Sequence, residues 1–382
     1  MVKQQIYQLR PYGWENDPEE EKFKVYTLDY LTAQVYCNYA VFFRLSDEEK
    51  PRVVEILKAG LERTLAQARH MNGSIEKDPK GGHSFTKRKD SIVAFHVQWL
   101  DDPSDAKKYP SFDDIHQANY NAVILGDQRL WGVPPMTYGE KPEAYPDNSP
   151  VTSAFKANFV RGGLVFNMHH HHYANDVMGW AGFTHQLAEN CYAIVHRTPF
   201  PSWDPACNDL SRLTKPDPPE ELRVSGRPPP ERHPGHKGGV DLLYHLPKSK
   251  ASKLKDLAKP KDGTWISTYD AFAAFLWRHT VREKATMNIR IDSFPLMSIL
   301  HTDCRDANIV SADFGFGKPS GYRHSMDQVT EGVVVIYPPR DPSPESDEGP
   351  EFAISFEKDL AHLLLGDPEF NEYFEYRGVD IE

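Results

Sequence analysis

Cysteine is scarce in this chain of 382 residues: four thiols, Cys37, Cys191, Cys207 and Cys304, with no C-x-x-C pair among them. So sparse a set fits a reducing compartment better than a disulfide framework. Long apolar runs are lacking as well. No segment approaches the ~18 consecutive apolar residues of a membrane-spanning helix. The opening, MVKQQIYQLRPYGWENDPEEEKFK, turns acidic early and has no apolar stretch of the signal-peptide kind. A cytoplasmic location is therefore expected. Positive charge is not in excess either. The formal net charge of −11 makes nucleic acid and anionic membrane poor partners, and neither is expected. There is no internal repeat and no H-E-x-x-H. What remains, 39% hydrophobic and 26% charged residues, is a globular composition, long enough for two domains or one two-lobed unit.

Strand and helix patterns alternate along the first half. VYCNYAVFFRL, ending at Leu45, is rich in aromatic and β-branched residues and reads as a buried strand. Ser46, with Glu49 three residues on, resembles a helix N-cap, followed by Val53, Val54, Leu57, Leu61 and Leu65 at helical spacing. Ser91–Trp99 and Gly162–His171 are further strand candidates, and Met178–His196 reads as a helix. From Thr198 to Gly239 proline becomes too dense for a helix or a central strand. This suggests a first lobe over 1–197, an extended crossover over 198–239 and a second lobe over 240–382. In the second lobe, Val240–Leu246, Gly332–Tyr337 and Phe352–Phe356 read as strands, and Ser249–Ala258, Ser267–Glu283 and Phe356–Leu365 as helices. The fold class is mixed α/β.

Two motifs carry chemistry. In MHHHHYANDVMGW, His172 and Asp176 form H-x-x-x-D just after a strand and just before a helix. Taken alone the pair also fits a solvated loop histidine, or a core histidine bonded to its neighbour. A metal site is the weaker reading. Adjacent histidines on a strand point to alternate faces, and no second His or Cys cluster stands at ligand spacing. The second motif is Asp313-Phe314-Gly315-Phe316-Gly317-Lys318-Pro319, a tight turn that needs glycine's freedom at positive φ or a close backbone approach. No kinase catalytic loop or β3 lysine accompanies this D-F-G.

Taken together, H-H-x-x-x-D near the middle and D-F-G-x-G-K-P towards the end resemble the double signature of the BAHD acyltransferases. Ile266–Glu283, His301–Asn308 and the stretch from Gly332 to Phe370 also look like family segments. The likeness spans nearly the whole chain and is nearest to the fungal trichothecene 3-O-acetyltransferase-like branch. It implies a two-lobed, chloramphenicol-acetyltransferase-like α/β fold and a monomer. It further implies transfer of an acyl group from acyl-CoA, acetyl-CoA first, to a small hydrophobic alcohol or amine, without a metal. By that resemblance His172 is the general base at a channel between the lobes. Asp176 steadies the loop with Arg305 as its partner, and Asp313, Gly315 and Gly317 are structural supports. The lysine-rich stretch with Lys248, Lys250, Lys253 and Lys255, together with Ser267 and Thr268, is where the family contacts CoA.

The chain departs from the family at three points. Phe316 replaces the usual Trp, Val177 replaces the Gly that follows the aspartate, and only Asp306–Ala312 separates Arg305 from Asp313. Family members carry a long run of strands and helices in that last gap. A shortened second domain with an exposed sheet edge and reduced stability is therefore expected. The alternative function is a non-catalytic relative that binds a small molecule or partner. A carrier-protein condensation enzyme would lack D-F-G-x-G-K-P.

Overall fold

The computed structural model describes residues 2–79, 81–139, 141–209, 237–282, 300–326, 328–330 and 332–382. Most of the proline-rich crossover, 210–236, lies outside the described residues, as does 283–299. The chain forms two compact units. One holds Met1–Tyr120, Ile124–Ser225 and Ala307–Asp327, and the other holds Asn121–Val123, Gly226–Asp306 and Gln328–Glu382.

In chain order the elements are β1 (Lys3–Leu9), β2 (Glu20–Lys24), β3 (Tyr36–Arg44), α1 (Lys50–Gln67), β4 (Ser74–Lys77), β5 (His83–Arg88) and β6 (Val93–Trp99). There follow α2 (Phe112–Gln117), α3 (Ala122–Leu125), α4 (Gln128–Trp131), β7 (Ser153–Val160), β8 (Gly163–His171) and α5 (Val177–His196). After the crossover come β9 (Gly239–His245), α6 (Lys248–Leu257), α7 (Thr268–Arg282), β10 (Leu300–Asp303), β11 (Gly321–His324) and β12 (Val333–Tyr337). The last elements are β13 (Glu351–Glu357), α8 (Ala361–Gly366), α9 (Pro368–Tyr373) and β14 (Glu375–Ile381). No helix among the described residues is long and apolar enough to cross a membrane.

The first unit is built on a six-stranded sheet ordered β1-β6-β7-β8-β3-β11, beside a small sheet β2-β5-β4. Strands β7 and β8 are buried along their whole length, as is all of β3 but Arg44, which is why they read as near-continuous apolar runs. Their polar residues are paired with one another. Gln98, Asn158, Asn167 and Asn38 form a buried amide ladder across four strands, each link 3.1 Å. A one-residue slip would break every rung, so the ladder helps fix the register. Helix α5 lies on this sheet through Trp180, stacked 4.2 Å from Tyr39, and Phe183, stacked 5.8 Å from Phe155.

The second unit has a five-stranded sheet, β10-β12-β13-β9-β14, whose core includes Leu242, Tyr244, Phe272, Phe275, Phe352 and Phe370. Among the described residues, β10 is a four-residue strand at the edge of this sheet, paired with β12, and its Leu300 is exposed.

Three sequence expectations are corrected. Ser46 is not the N-cap of α1. Its hydroxyl bonds Glu49 within a turn, and the helix starts at Lys50, where Pro51 occupies a first-turn position that needs no N–H donor. The D-F-G-F-G segment belongs to the first unit rather than the second, because β11 pairs antiparallel with β3, Tyr39 opposite His324. The closing segment is more than one helix: α8 and α9 lead into β14, whose half-exposed, charged sequence hides its strand period.

Candidate active site

The histidine run closes β8, and the fold treats its members differently. His169 donates from Nδ1 to the Met136 carbonyl (2.8 Å) and accepts the Val133 N–H on Nε2 (3.0 Å). His171 donates from Nε2 to the Ala144 carbonyl (2.8 Å) and accepts the Tyr173 N–H on Nδ1 (3.0 Å). His170 stacks on Tyr39 at 5.5 Å. Burial lowers all three, His169 to about 3, His171 to about 4 and His170 well below the usual imidazole value. They are neutral core histidines at physiological pH.

His172 alone of the four is half-buried. Its backbone N–H donates to the Val35 carbonyl (2.9 Å), so it extends the β3–β8 ladder by one residue and faces the same way as His170. Its Nδ1 lies 3.2 Å from the Asn175 carbonyl oxygen. A carbonyl only accepts, so Nδ1 carries the proton and Nε2 keeps a lone pair. Such an imidazole is set to take a proton at Nε2.

Asp176 is exposed and works as the N-cap of α5, accepting the Gly179 N–H on Oδ1 at 2.7 Å. Gly179 lies close to Asn175, whose Oδ1 would stand 2.5 Å from a Cβ there and would have to move aside. The glycine two places later than the family pattern thus sits against the same loop.

The protein family described as the trichothecene 3-O-acetyltransferase-like N-terminal domain matches residues 35–191, which hold this whole arrangement. Acetyltransferase FGR3 of Gibberella zeae is 55% identical over 474 aligned positions, covering all of this chain and 95% of that protein. The chain belongs to the BAHD-type acyltransferases. Trichothecene 3-O-acetyltransferase TRI101 of Fusarium sporotrichioides is more distant, 22% identical over 65% of this chain and 56% of that protein. In fold, the chain matches crystalline TRI101 of F. graminearum with a TM-score of 0.76 at 17% identity, covering 94% of this chain and all of that one. Vinorine synthase matches at 0.67 with 14% identity, over 99% of this chain and all of that one. The alignment with FGR3 is longer than the 382 residues here, so that relative carries sequence this chain lacks.

The remaining residues expected from the BAHD resemblance fall into two groups. In the first unit, Asp313 accepts the Gly315 N–H (2.8 Å), and the Gly317 carbonyl accepts the Phe314 N–H (3.0 Å), closing a tight turn. Gly315 has φ +76°, and a Cβ on it would meet Val195 Cβ at 2.9 Å and Tyr192 Cα at 3.0 Å. Phe314 and Phe316 pack against Phe43 at 5.0 and 5.3 Å, so Phe316 still fills an aromatic place where the family has Trp.

In the second unit, Arg305 has a partner close by in the chain. Its Nε and Nη2 grip both oxygens of Asp303, two residues back, and its guanidinium lies 5.3 Å over Tyr269. A local bidentate fork satisfies the charge with little ordering of the chain. The lysines on α6 are not equivalent either. Lys248 donates to the Ser343 and Ser346 carbonyls at 2.8 and 2.7 Å, Lys250 pairs with Glu375 at 3.2 Å, and Lys255 lies over Trp265 at 5.3 Å. Lys253 is exposed. Ser267 forms a reciprocal cap with Asp270 at the start of α7, where Thr268 is the first helical residue. Ser267 is thus first of all a cap.

Sequence reasoning missed Asn175, Tyr30, His83 and Asp147 near this loop. Only Asn175 had a local signal, its place inside H-x-x-x-D.

Proposed function

We propose that the chain transfers an acyl group, acetyl first, from acyl-CoA to the hydroxyl of a small apolar acceptor, with His172 as general base. The observation that carries this is the Nδ1–H bond to the Asn175 carbonyl, which leaves Nε2 of a half-buried histidine free. Nε2 takes the proton as the acceptor oxygen attacks the thioester carbonyl. The tetrahedral adduct then collapses with cleavage of the C–S bond, and the imidazolium returns its proton to the leaving thiolate. A thioester is already activated, so no covalent enzyme intermediate is needed. Asp176 keeps His172 in place by fixing the loop and the start of α5. An amine acceptor would follow the same path.

Support for the co-substrate comes from the relatives. Crystalline TRI101 of F. graminearum was solved with ethyl coenzyme A, and with coenzyme A and T-2 mycotoxin. Lys253 and Lys255 would meet the CoA phosphates here. A monomeric, cytoplasmic protein with two lobes joined through 198–239 completes the reading.

The test is release of CoA thiol from acetyl-CoA with a panel of hydrophobic alcohols, beside His172→Ala. Acceptor-dependent release that falls by ~10²–10⁴ in the variant is expected. Equal release by both proteins would remove His172 as base. Silence of the wild type, with no CoA binding, would favour a non-catalytic relative.

A further inference from the structure

A second set of side chains, apart from His172, has the hydrogen-bond order of a nucleophile, a base and an orienting acid. Tyr30, in the short turn Asp29–Leu31, is 38% exposed. Its hydroxyl oxygen lies 3.1 Å from Nδ1 of His83, the first residue of β5. His83 Nε2 in turn lies 3.0 Å from Asp147 Oδ1. All three residues belong to the first unit.

The protons of this chain can be assigned. Asp147 is held below the usual carboxylate value by its bond to His83 and next by Lys77, so near pH 7 it is ionised and only accepts. His83 Nε2 therefore carries the ring proton, and Nδ1 keeps the lone pair that receives the Tyr30 O–H. A hydroxyl beside an imidazole that a carboxylate orients is the arrangement that activates an oxygen nucleophile. Burial above all holds Tyr30 over its ordinary value, so near pH 7 it is a neutral phenol that needs a base.

Two further features suit this oxygen for attack. The His83 backbone N–H donates to it at 2.7 Å and would stabilise the charge that develops as the O–H proton leaves. That bond occupies one lone pair and leaves the other for a carbonyl carbon. Gly82, at φ +81°, stands beside the hydroxyl. A Cβ there would come 3.3 Å from the oxygen, so glycine leaves that approach open.

We propose that Tyr30, His83 and Asp147 form a second nucleophilic centre, at which the Tyr30 hydroxyl takes the acyl group of a small activated ester. Tyr30 Oη bonds to the ester carbonyl carbon while its proton passes to His83 Nδ1. The tetrahedral adduct collapses with cleavage of the bond to the leaving oxygen, and His83 returns the proton to that oxygen. The products are O-acyl-Tyr30 and the freed alcohol. The step needs no other reactant and makes no use of His172.

The experiment incubates the full chain with p-nitrophenyl acetate near pH 7 and follows O-acetylation residue by residue by peptide mass spectrometry. Tyr145 is the internal reference. Its exposure, 41%, is close to that of Tyr30, and among the described residues no imidazole bonds its hydroxyl. Tyr30 is expected to acetylate about 10²-fold faster than Tyr145. His83→Asn, whose amide oxygen can still accept the Tyr30 O–H but is no base, should abolish that lead. Asp147 is largely exposed, so Asp147→Asn leaves the packing intact and should cut the lead about tenfold or more. Equal labelling of Tyr30 and Tyr145 in the wild type, or a lead that survives in either variant, would overturn the centre and leave the three side chains as a brace for the turn.

Discussion

Four adjacent histidines share a side chain but not a role, and burial is what separates them. His169 and His171 each hold backbone groups of loops that cross the sheet, and His170 lies flat on Tyr39. His172 is the first residue past the strand, where the ladder ends and one ring nitrogen is left over. The Asp176 cap belongs to the same local logic. Asp176→Ala removes the acceptor for the Gly179 N–H and is expected to cost about 1 kcal/mol in a thermal or urea melt. Asp176→Asn keeps an equally good cap, so it should melt like the wild type and retain most thiol release. A native melt with abolished turnover in Asp176→Asn would instead give the carboxylate a direct part in the chemistry.

At the scale of elements, the D-F-G-F-G turn is where local and distant requirements meet. Its glycines announce an unusual backbone, and Gly315 indeed has φ +76°. What they do not announce is the neighbour, Val195 and Tyr192 on α5 at 2.9 and 3.0 Å from the missing Cβ. Gly315→Ala therefore combines a left-handed penalty with an overlap against helix backbone, together about 2–4 kcal/mol. Equilibrium unfolding in urea would read this directly. A variant within ~0.5 kcal/mol of wild type, the ordinary range of neutral surface changes, would show that the turn yields. The same tight turn feeds β11 onto β3, carrying a late part of the chain into the first sheet.

For the whole molecule, one carboxyl in the second sheet makes a pH dependence of its own, opposite in sign to that of the buried histidines. Ser355 Oγ lies 2.7 Å from the Thr330 carbonyl and 2.6 Å from Asp241 Oδ1. One hydroxyl proton cannot serve two acceptors. With an ionised Asp241 one of the two contacts therefore lacks a proton, whereas a neutral Asp241 allows both. Burial, with Asp380 adding to it, raises Asp241 from 3.8 to about 8, against the pull of the Ser355 bond. Between these values the unfolded chain releases this proton while the folded chain keeps it. The stability that Asp241 contributes is therefore lost as pH rises from about 4 towards 8, and the loss is complete above that. Asp241→Asn mimics the protonated acid. Its melting temperature should match the wild type near pH 4 and exceed it increasingly up to pH 8. A difference independent of pH would mean that Asp241 is ionised in the fold.

By itself the sequence determined the class of fold, most of the central strands and helices, and both signature motifs. Those are signals of periodicity, of glycine in tight turns, and of residues a few places apart, which a linear chain can display. It also exposed the short connection before Asp313. Tertiary structure decided the rest. It chose His172 over three like neighbours by burial, turned Arg305 to Asp303 and Lys250 to Glu375, and brought Tyr30, His83 and Asp147 together. These choices depend on desolvation and on contacts between residues far apart in the chain, and no local pattern encodes them.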